Sequence, residues 1–599
     1  MSIWFANGVA ARIMARLPLS LQSTRTGFPV PRQTPRNILF VMFDQLRFDY
    51  LSCAGHPFLE TPHIDALAAR GVRFTRAYVQ SPICGASRMS FYTGRYVQSH
   101  GAAWNNYPLK VGETTLGDHL RARGMDAVLI GKTHMKVDED GLDRLGISRA
   151  GIIGARVAEC GFDARVRDDG LWAEGADGPY DAKPSPYNAY LRERGYDGRN
   201  PWHDHANSAI SDGDPEDAQG EIETGWLMRN ARKPANIREE DAETPWLTDQ
   251  AIAFLEERRR TRTLVPWLCH LSYIKPHWPY IVPPPYHALY GAEHVVPAVR
   301  TDAERAHPNP VHAAFMQSRV SRSFARDDVR NEVIPAYMGL IRQCDDQIGR
   351  LMTYLEQSGR LKDTMVVLTS DHGDYLGDHW LGEKDLFHDP SVKVPMIVYD
   401  PSPDADATRG TTCDALVEAI DLAATFVDVA GGEFPGHILE GRSLLPLLHG
   451  ETPTDWRDFA VSEYDYSCTP MADALGMAPG DARLFMVVDR GFKLIHAEGG
   501  MPPMLFDLEN DPDELVDLGR DPRHAKVVHD MREKLATWAR RESQRTTVSD
   551  AQILARRAGA GGRTGVLIGA YDEDDVTAND LEPYTGRVTR TVQGASDER

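Results

Sequence analysis

Cys84-Gly85-Ala86-Ser87-Arg88, followed closely by Thr93-Gly94-Arg95, sets a potential nucleophile near a fixed positive charge. A Cys flanked by apolar residues is usually a small buried side chain. Its surroundings here point elsewhere. Ser87 to Tyr92 can form a helix stopped by Gly94, which would put Cys84 beside a helix N-terminus, where free amide N–H groups and the dipole favour an anion. Arg88 adds a charge that no working pH removes. A nucleophile offered to an anionic substrate needs that combination.

Other candidates lie far away in the chain. Asp44, Gln45, Asp371 and His372 are oxygen and imidazole donors suited to a divalent cation. Lys132, His134, His277 and Lys384 are cationic or proton-carrying groups. A cation and several positive side chains around one nucleophile suit transfer of a tetrahedral oxyanion, sulfuryl or phosphoryl, whose developing charge must be neutralised.

The elements between them explain how they could meet. Asn37 to Phe43, Ala127 to Ile130, Val265 to Tyr273, Met365 to Thr369 and Val394 to Tyr399 are apolar runs of the kind found in strands buried on both faces. Helical stretches alternate with them: Thr61-Pro62 onward, Glu113 to Gly124, Thr244-Pro245 to Arg260, and Ile334 to Gly359 with a stripe of Tyr337, Ile341, Cys344, Ile348, Leu351 and Leu355. The alternation predicts an α/β fold with a large, mainly parallel sheet sandwiched by helices. Four strands end in polar groups, at Asp44-Gln45, Lys132-Thr133-His134, His277 and Asp371-His372. The carboxyl edge of such a sheet is where ligands bind, so the four can converge.

Residues 138–243 are rich in Gly, Asp and Arg and show little periodicity, which predicts a loop-rich insertion. The catalytic domain is expected over 37–454. A small C-terminal subdomain over 455–548 is expected to hold an antiparallel sheet, with a hairpin of Leu484 to Val488 and Phe492 to Ile495, then a helix from Ala525 to Arg541. Residues 1–36 carry five Arg and no acid and read as a loosely docked leader. Residues 549–599, with Val566-Leu567-Ile568, read as an arm that could pack on a neighbouring subunit of a homo-oligomer, a dimer or tetramer.

The 599 residues allow a large core, and the net charge of -21 excludes broad nucleic-acid binding. Seven scattered Cys without paired spacing suggest reduced thiols and a cytoplasmic protein. No run of eighteen apolar residues suggests a membrane span.

The motifs together resemble the sulfatases and phosphonate monoester hydrolases of the alkaline phosphatase superfamily, from about Asn37 through Asp517. The matching pieces are Asn37 to Gln45, Cys84 to Arg88 with Thr93-Gly94-Arg95, Gly131 to His134, Pro276-His277, Ser370 to Gly373, Lys384, Met504 to Leu508 and Asp511-Pro512. The resemblance implies an alkaline phosphatase-like fold and oxidation of Cys84 to formylglycine by a modifying enzyme. Ala86 replaces the commoner Pro but is tolerated in the signature. The formylglycine hydrate would supply the attacking hydroxyl, with His277 or Lys384 assisting the leaving oxygen and His134 taking a proton from the second hydroxyl. One cation, Mn2+ or Ca2+, would be held by Asp44, Gln45, Asp371, His372 and the modified Cys84. Asn105, with Asn106 as its competitor, falls where these hydrolases contact the transferred group.

Two departures bear on substrate. Gln45 and His372 resemble the pairs of phosphonate monoester hydrolases and choline sulfatases, whereas Lys132 and His134 match sulfatases. The expected activity is hydrolysis of small, arylsulfatase-type sulfate monoesters. The alternatives are a phosphonate monoester hydrolase or phosphodiesterase with sulfatase side activity, and an inactive binding protein that keeps the fold.

Overall fold

The computed structural model describes residues 37–170, 185–210 and 222–557. Its large sheet is built from β1 (Asn37–Asp44), β2 (Val72–Phe74), β3 (Asp126–Gly131), β4 (Asp163–Arg167), β5 (Trp267–Pro276), β6 (Thr364–Ser370), β7 (Met396–Tyr399) and β8 (Thr411–Cys413). They lie in the order β8-β2-β7-β6-β1-β5-β3-β4. From β6 through β4 the neighbours run parallel. β7 runs antiparallel to both β6 and β2.

Central β1 is buried along its whole length. Ile38, Phe40 and Met42 enter the core on one face, and Leu39, Val41 and Phe43 the core on the other. That is why the run shows no polar alternation. Truncating a side chain such as Phe40 to Ala should cost about 3–5 kcal/mol.

On the first face lie α1 (Cys84–Thr93), through Ala86, Met89, Phe91 and Tyr92, and a later helix, Ile420–Ala430. The opposite face is covered by α2 (Glu243–Thr261) and α3 (Asp327–Gln357). All six residues of the expected α3 stripe enter that core. The helix starts earlier than its apolar spacing indicates and carries Pro335 inside it.

The small sheet is antiparallel throughout: β9 (Ala460–Asp465), β10 (Arg483–Val488), β11 (Phe492–Ala497) and β12 (Met504–Asp507). Asp489 Oδ1 accepts the N–H groups of Gly491 and Phe492 at 2.8 and 2.7 Å, which makes the β10–β11 turn. Leu484, Met486 and Val488 share a core with the large sheet. Phe485 and Val487 face α4 (Ala525–Ala539) through Val528, Met531, Leu535 and Trp538. The expected hairpin and helix are both present.

The stretch read as a loop-rich insertion also carries regular elements among its described residues. It holds helices Glu139–Leu145, Ile152–Val157 and Pro186–Glu193, and β4 extends the large sheet at its edge. β4 (DARVR) is only partly buried, so its charges face solvent and no apolar pattern marks it. The leader and the Val566–Ile568 stretch lie outside the described residues. Among the described residues no helix is long and apolar enough to cross a membrane, and the structure leaves all seven cysteines unpaired.

Candidate active site

Strand register brings the polar ends together. Phe43 lies opposite Ser370, so Asp44 and Asp371 leave β1 and β6 side by side. Asp44 itself pairs with Pro276, which delivers His277 next to it. Gly131 pairs with Ser272, and Lys132 emerges one residue later. All four polar strand ends thus converge at the carboxyl edge, as the alternating pattern predicts.

Cys84 is the first residue of α1, closer to the helix terminus than the sequence indicates. Ile83 is extended, and no side chain of the capping residue closes the first turn. The Gly85 N–H donates instead to Asn105 Oδ1 at 2.8 Å. A Cβ on Gly85 would come within 3.1 Å of the Asn105 Cα, so glycine is what lets the two segments approach. The other end stops at Gly94, whose φ of 66° is left-handed.

Arg88 lies one helical turn along and is fully buried. Its Nε donates to Asp371 Oδ2 at 2.7 Å, one terminal nitrogen to Asp44 Oδ2 at 3.3 Å, and the other to Ser272 Oγ at 2.8 Å and the Lys132 carbonyl at 3.0 Å. The guanidinium therefore fixes both carboxylates. Lys132 Nζ donates to Asp44 Oδ2 as well. Burial pushes the Asp44 carboxyl up, but Lys132, His277, Arg88 and His372 together hold it well below the usual range.

Cys84 Sγ is contacted by Lys384 Nζ at 3.0 Å and His372 Nε2 at 3.0 Å. Burial and Asp44 raise the thiol pKa, yet Lys384, His372 and Lys132 outweigh them and bring it below the ordinary value. For Lys384, burial is outweighed by Cys84, Glu383 and Asp44, which keep its ammonium charged. Burial, reinforced by Lys132, lowers His134 well below the ordinary imidazole value. His277 is lowered likewise, by burial first and then by Lys384 and Lys132 against the pull of Asp44. Both imidazoles are neutral at pH 7.

The donor set fits a divalent cation. One ligand atom each from Asp44, Cys84, Asp371 and His372 lies within 4.8 Å of the others, all buried. Cys84 Sγ is the one sulfur atom of this set. His372 Nδ1–H donates to the Gly373 carbonyl at 2.8 Å, which turns Nε2 toward Asp44 and Cys84. Gln45 Oε1 is buried without a hydrogen-bond partner, an orphan acceptor that a cation would satisfy.

All the residues named from sequence therefore gather here, Asn105 at the helix terminus rather than deeper in. Asn106 is exposed with a left-handed φ of 63°. Lys384, His277 and His134 keep 6–7% of their surface open, against 0–1% for the carboxylates and Cys84.

Several contributors were not named from sequence. Ser272, polar inside an apolar run, carries a readable signal. Asp169 Oδ1 holds the backbone N–H of His134 at 2.9 Å, where φ is 55°. Asp385, with a φ of 117°, accepts from the Tyr464 hydroxyl of β9 at 2.8 Å and so ties the small sheet to the Lys384 loop. Nothing in spacing announces that pair.

The sulfatase family profile matches residues 36–432, and the C-terminal profile of N-sulphoglucosamine sulphohydrolase matches 377–541. A multifunctional alkaline phosphatase superfamily protein of Trinickia caryophylli is 29% identical over 552 residues, 86% of this chain and 97% of that protein. An arylsulfatase of Clostridium perfringens is 26% identical over 512 residues, 83% and 93% of the two chains. The solved phosphonate monoester hydrolase of Silicibacter pomeroyi superposes with a TM-score of 0.73 at 27% identity, over 86% of this chain and 98% of its own. With the profile spanning the described sheet and site, the chain belongs to the sulfatase family of the alkaline phosphatase superfamily.

Proposed function

We propose that this sulfatase-family hydrolase cleaves sulfate monoesters, aryl or similarly small, after a modifying enzyme has oxidised Cys84 to formylglycine. The observation that carries this reading is the ring around Cys84 Sγ: Lys384 and His372 at 3.0 Å, with Asp44, Lys132 and Arg88 behind them. Hard oxygen donors and fixed cations suit an oxygen nucleophile better than a thiolate. Asp44, Gln45, Asp371 and His372 would hold one Mn2+ or Ca2+, whose charge lowers the pKa of a bound hydroxyl and offsets charge on the transferred group. The aldehyde hydrate offers two hydroxyls on one carbon, so that one can attack and the other can drive release of sulfate, a route closed to Ser or Thr.

The remaining roles follow from protonation. Lys384, whose Nζ lies 3.0 Å from the position of the nucleophile, can give a proton to the departing oxygen. His277, its pKa lowered by burial and its Nδ1–H donated to the Trp278 carbonyl at 3.2 Å, turns Nε2 outward as an acceptor that can orient the substrate. His134, also neutral, can take the proton of the second hydroxyl. Arg88 fixes the carboxylates, and Lys132 adds positive charge for the sulfuryl oxygens.

A second reading reverses the preference, toward phosphonate monoesters or phosphodiesters. Gln45 and His372 favour it, together with the name of the Silicibacter relative, a phosphonate monoester hydrolase. Lys132 and His134 favour the sulfate reading. The test is kcat/KM for an aryl sulfate and an aryl phosphonate monoester on one preparation. Faster sulfate turnover is expected, and faster phosphonate turnover would replace the first reading with the second.

A further inference from the structure

Gln45 leaves β1 with a left-handed φ of 68° and is fully buried. Its backbone N–H donates to Asp371 Oδ1 at 3.1 Å, and its carbonyl accepts from the Tyr337 hydroxyl at 2.7 Å. Its side-chain Nε2 donates to Asp374 Oδ2 at 2.5 Å and to the Tyr280 oxygen at 2.9 Å. The Tyr280 hydroxyl donates in turn to the same Asp374 oxygen at 2.5 Å, while Asp374 Oδ1 accepts the Leu376 N–H at 2.9 Å. Among the side-chain polar atoms of this trio, Gln45 Oε1 alone is buried without a partner.

That orphan has a cause. Turning the amide over would set Oε1 against the Asp374 carboxylate, oxygen to oxygen, so the carboxylate decides which end of the amide faces away from it. Leaving a buried amide oxygen without a donor costs about 1–3 kcal/mol. A fold that fixes the amide in this sense needs a partner for the oxygen. Gln45 directly follows Asp44 and is bonded to Asp371, the two carboxylates of the cation set.

We propose that Asp374, assisted by Tyr280, is a positioning residue for the cation: it locks the Gln45 amide so that Oε1 serves as a neutral oxygen ligand. The inference rests on the cation site of the proposed function and assigns that site an outer support from two distant loops. A neutral amide in place of a carboxylate also leaves the site one charge more positive, which favours an anionic substrate.

Asp374→Asn separates this role from a merely structural one. Its amide oxygen can still accept from Leu376, but its NH2 then confronts Gln45 Nε2. The Gln45 amide turns over and points its own NH2 at the cation. Calorimetric titration of the full-length chain with Mn2+ and Ca2+ should show Kd raised about 10–100-fold in D374N, with thermal unfolding in chelator close to wild type. Tyr280→Phe, which removes an acceptor but keeps the carboxylate, should raise Kd less and decides the matter should D374N fail to fold. An unchanged Kd in D374N, or in Tyr280→Phe where that variant decides, overturns the proposal and leaves the cation site standing. A wild-type chain that binds neither ion removes the site and the proposal together.

Discussion

Arg457 and Arg88 are both buried guanidinium groups, and each holds two carboxylates. Arg457 bridges Glu418 and Asp421, where the small sheet meets the catalytic core. There every carboxylate oxygen is taken: Glu418 by the Tyr96 hydroxyl and the Val461 N–H, Asp421 by the N–H groups of Glu418 and Arg442, with Arg457 completing both. The Arg88 network does not close. It ends on Cys84 Sγ, on Lys384, on Asp44 Oδ1 with only Sγ at 3.9 Å and His372 at 3.5 Å, and on the orphan Gln45 Oε1. Buried charge that closes on itself is a fastening. Buried charge that ends on open atoms is prepared for ligands, and the two should respond differently to mutation.

The largest effect is expected at the open end. Cys84→Ala should lower kcat toward aryl sulfate by about 10⁴-fold or more, because no other group can supply the nucleophile, while thermal unfolding stays near wild type. Arg457→Met should do the reverse. It strands two buried carboxylates and should cost about 3–5 kcal/mol in urea unfolding, with kcat of the folded protein unchanged. Equal loss of activity in both variants would erase the distinction between the networks.

Cation removal should come next. At a free cation concentration about 100 times Kd, the bound ion stabilises the fold by about 2.7 kcal/mol, so chelation should lower the wild-type melting temperature. Arg457→Met should show the same chelation shift, because its network takes no part in the site. The smallest effect is expected at Tyr464→Phe, which releases Asp385 beside Lys384. Losing one hydrogen bond of about 1 kcal/mol should lower kcat about fivefold, with KM little changed. An unaltered kcat would detach the small sheet from the catalytic machinery.

The sheet and the convergence of its polar ends were legible because burial on both faces writes itself into sequence as continuous apolar runs. Asp44, Lys132, His277 and Asp371 each interrupt such a run at its end. β4 leaves no such trace because an edge strand needs no apolar pattern. Asn105 could be flagged by its position but not by its task, since its bond to Gly85 depends on how the 104–107 turn meets α1. Tyr280 and Asp374 were illegible for a different reason: their function is to orient an amide, and their contacts with Gln45 span 235 and 329 residues of chain. Local spacing carries the elements and the motif ends. Long-range hydrogen bonds that orient them leave no periodic trace.

The central claim is that Cys84 matters through what replaces its thiol. Mass measurement of the peptide spanning Cys84, taken from protein made in its native host, tests this directly. Loss of the sulfur and gain of an aldehyde that reacts with a hydrazine probe are expected. A fully retained thiol in protein that still hydrolyses aryl sulfate would contradict it.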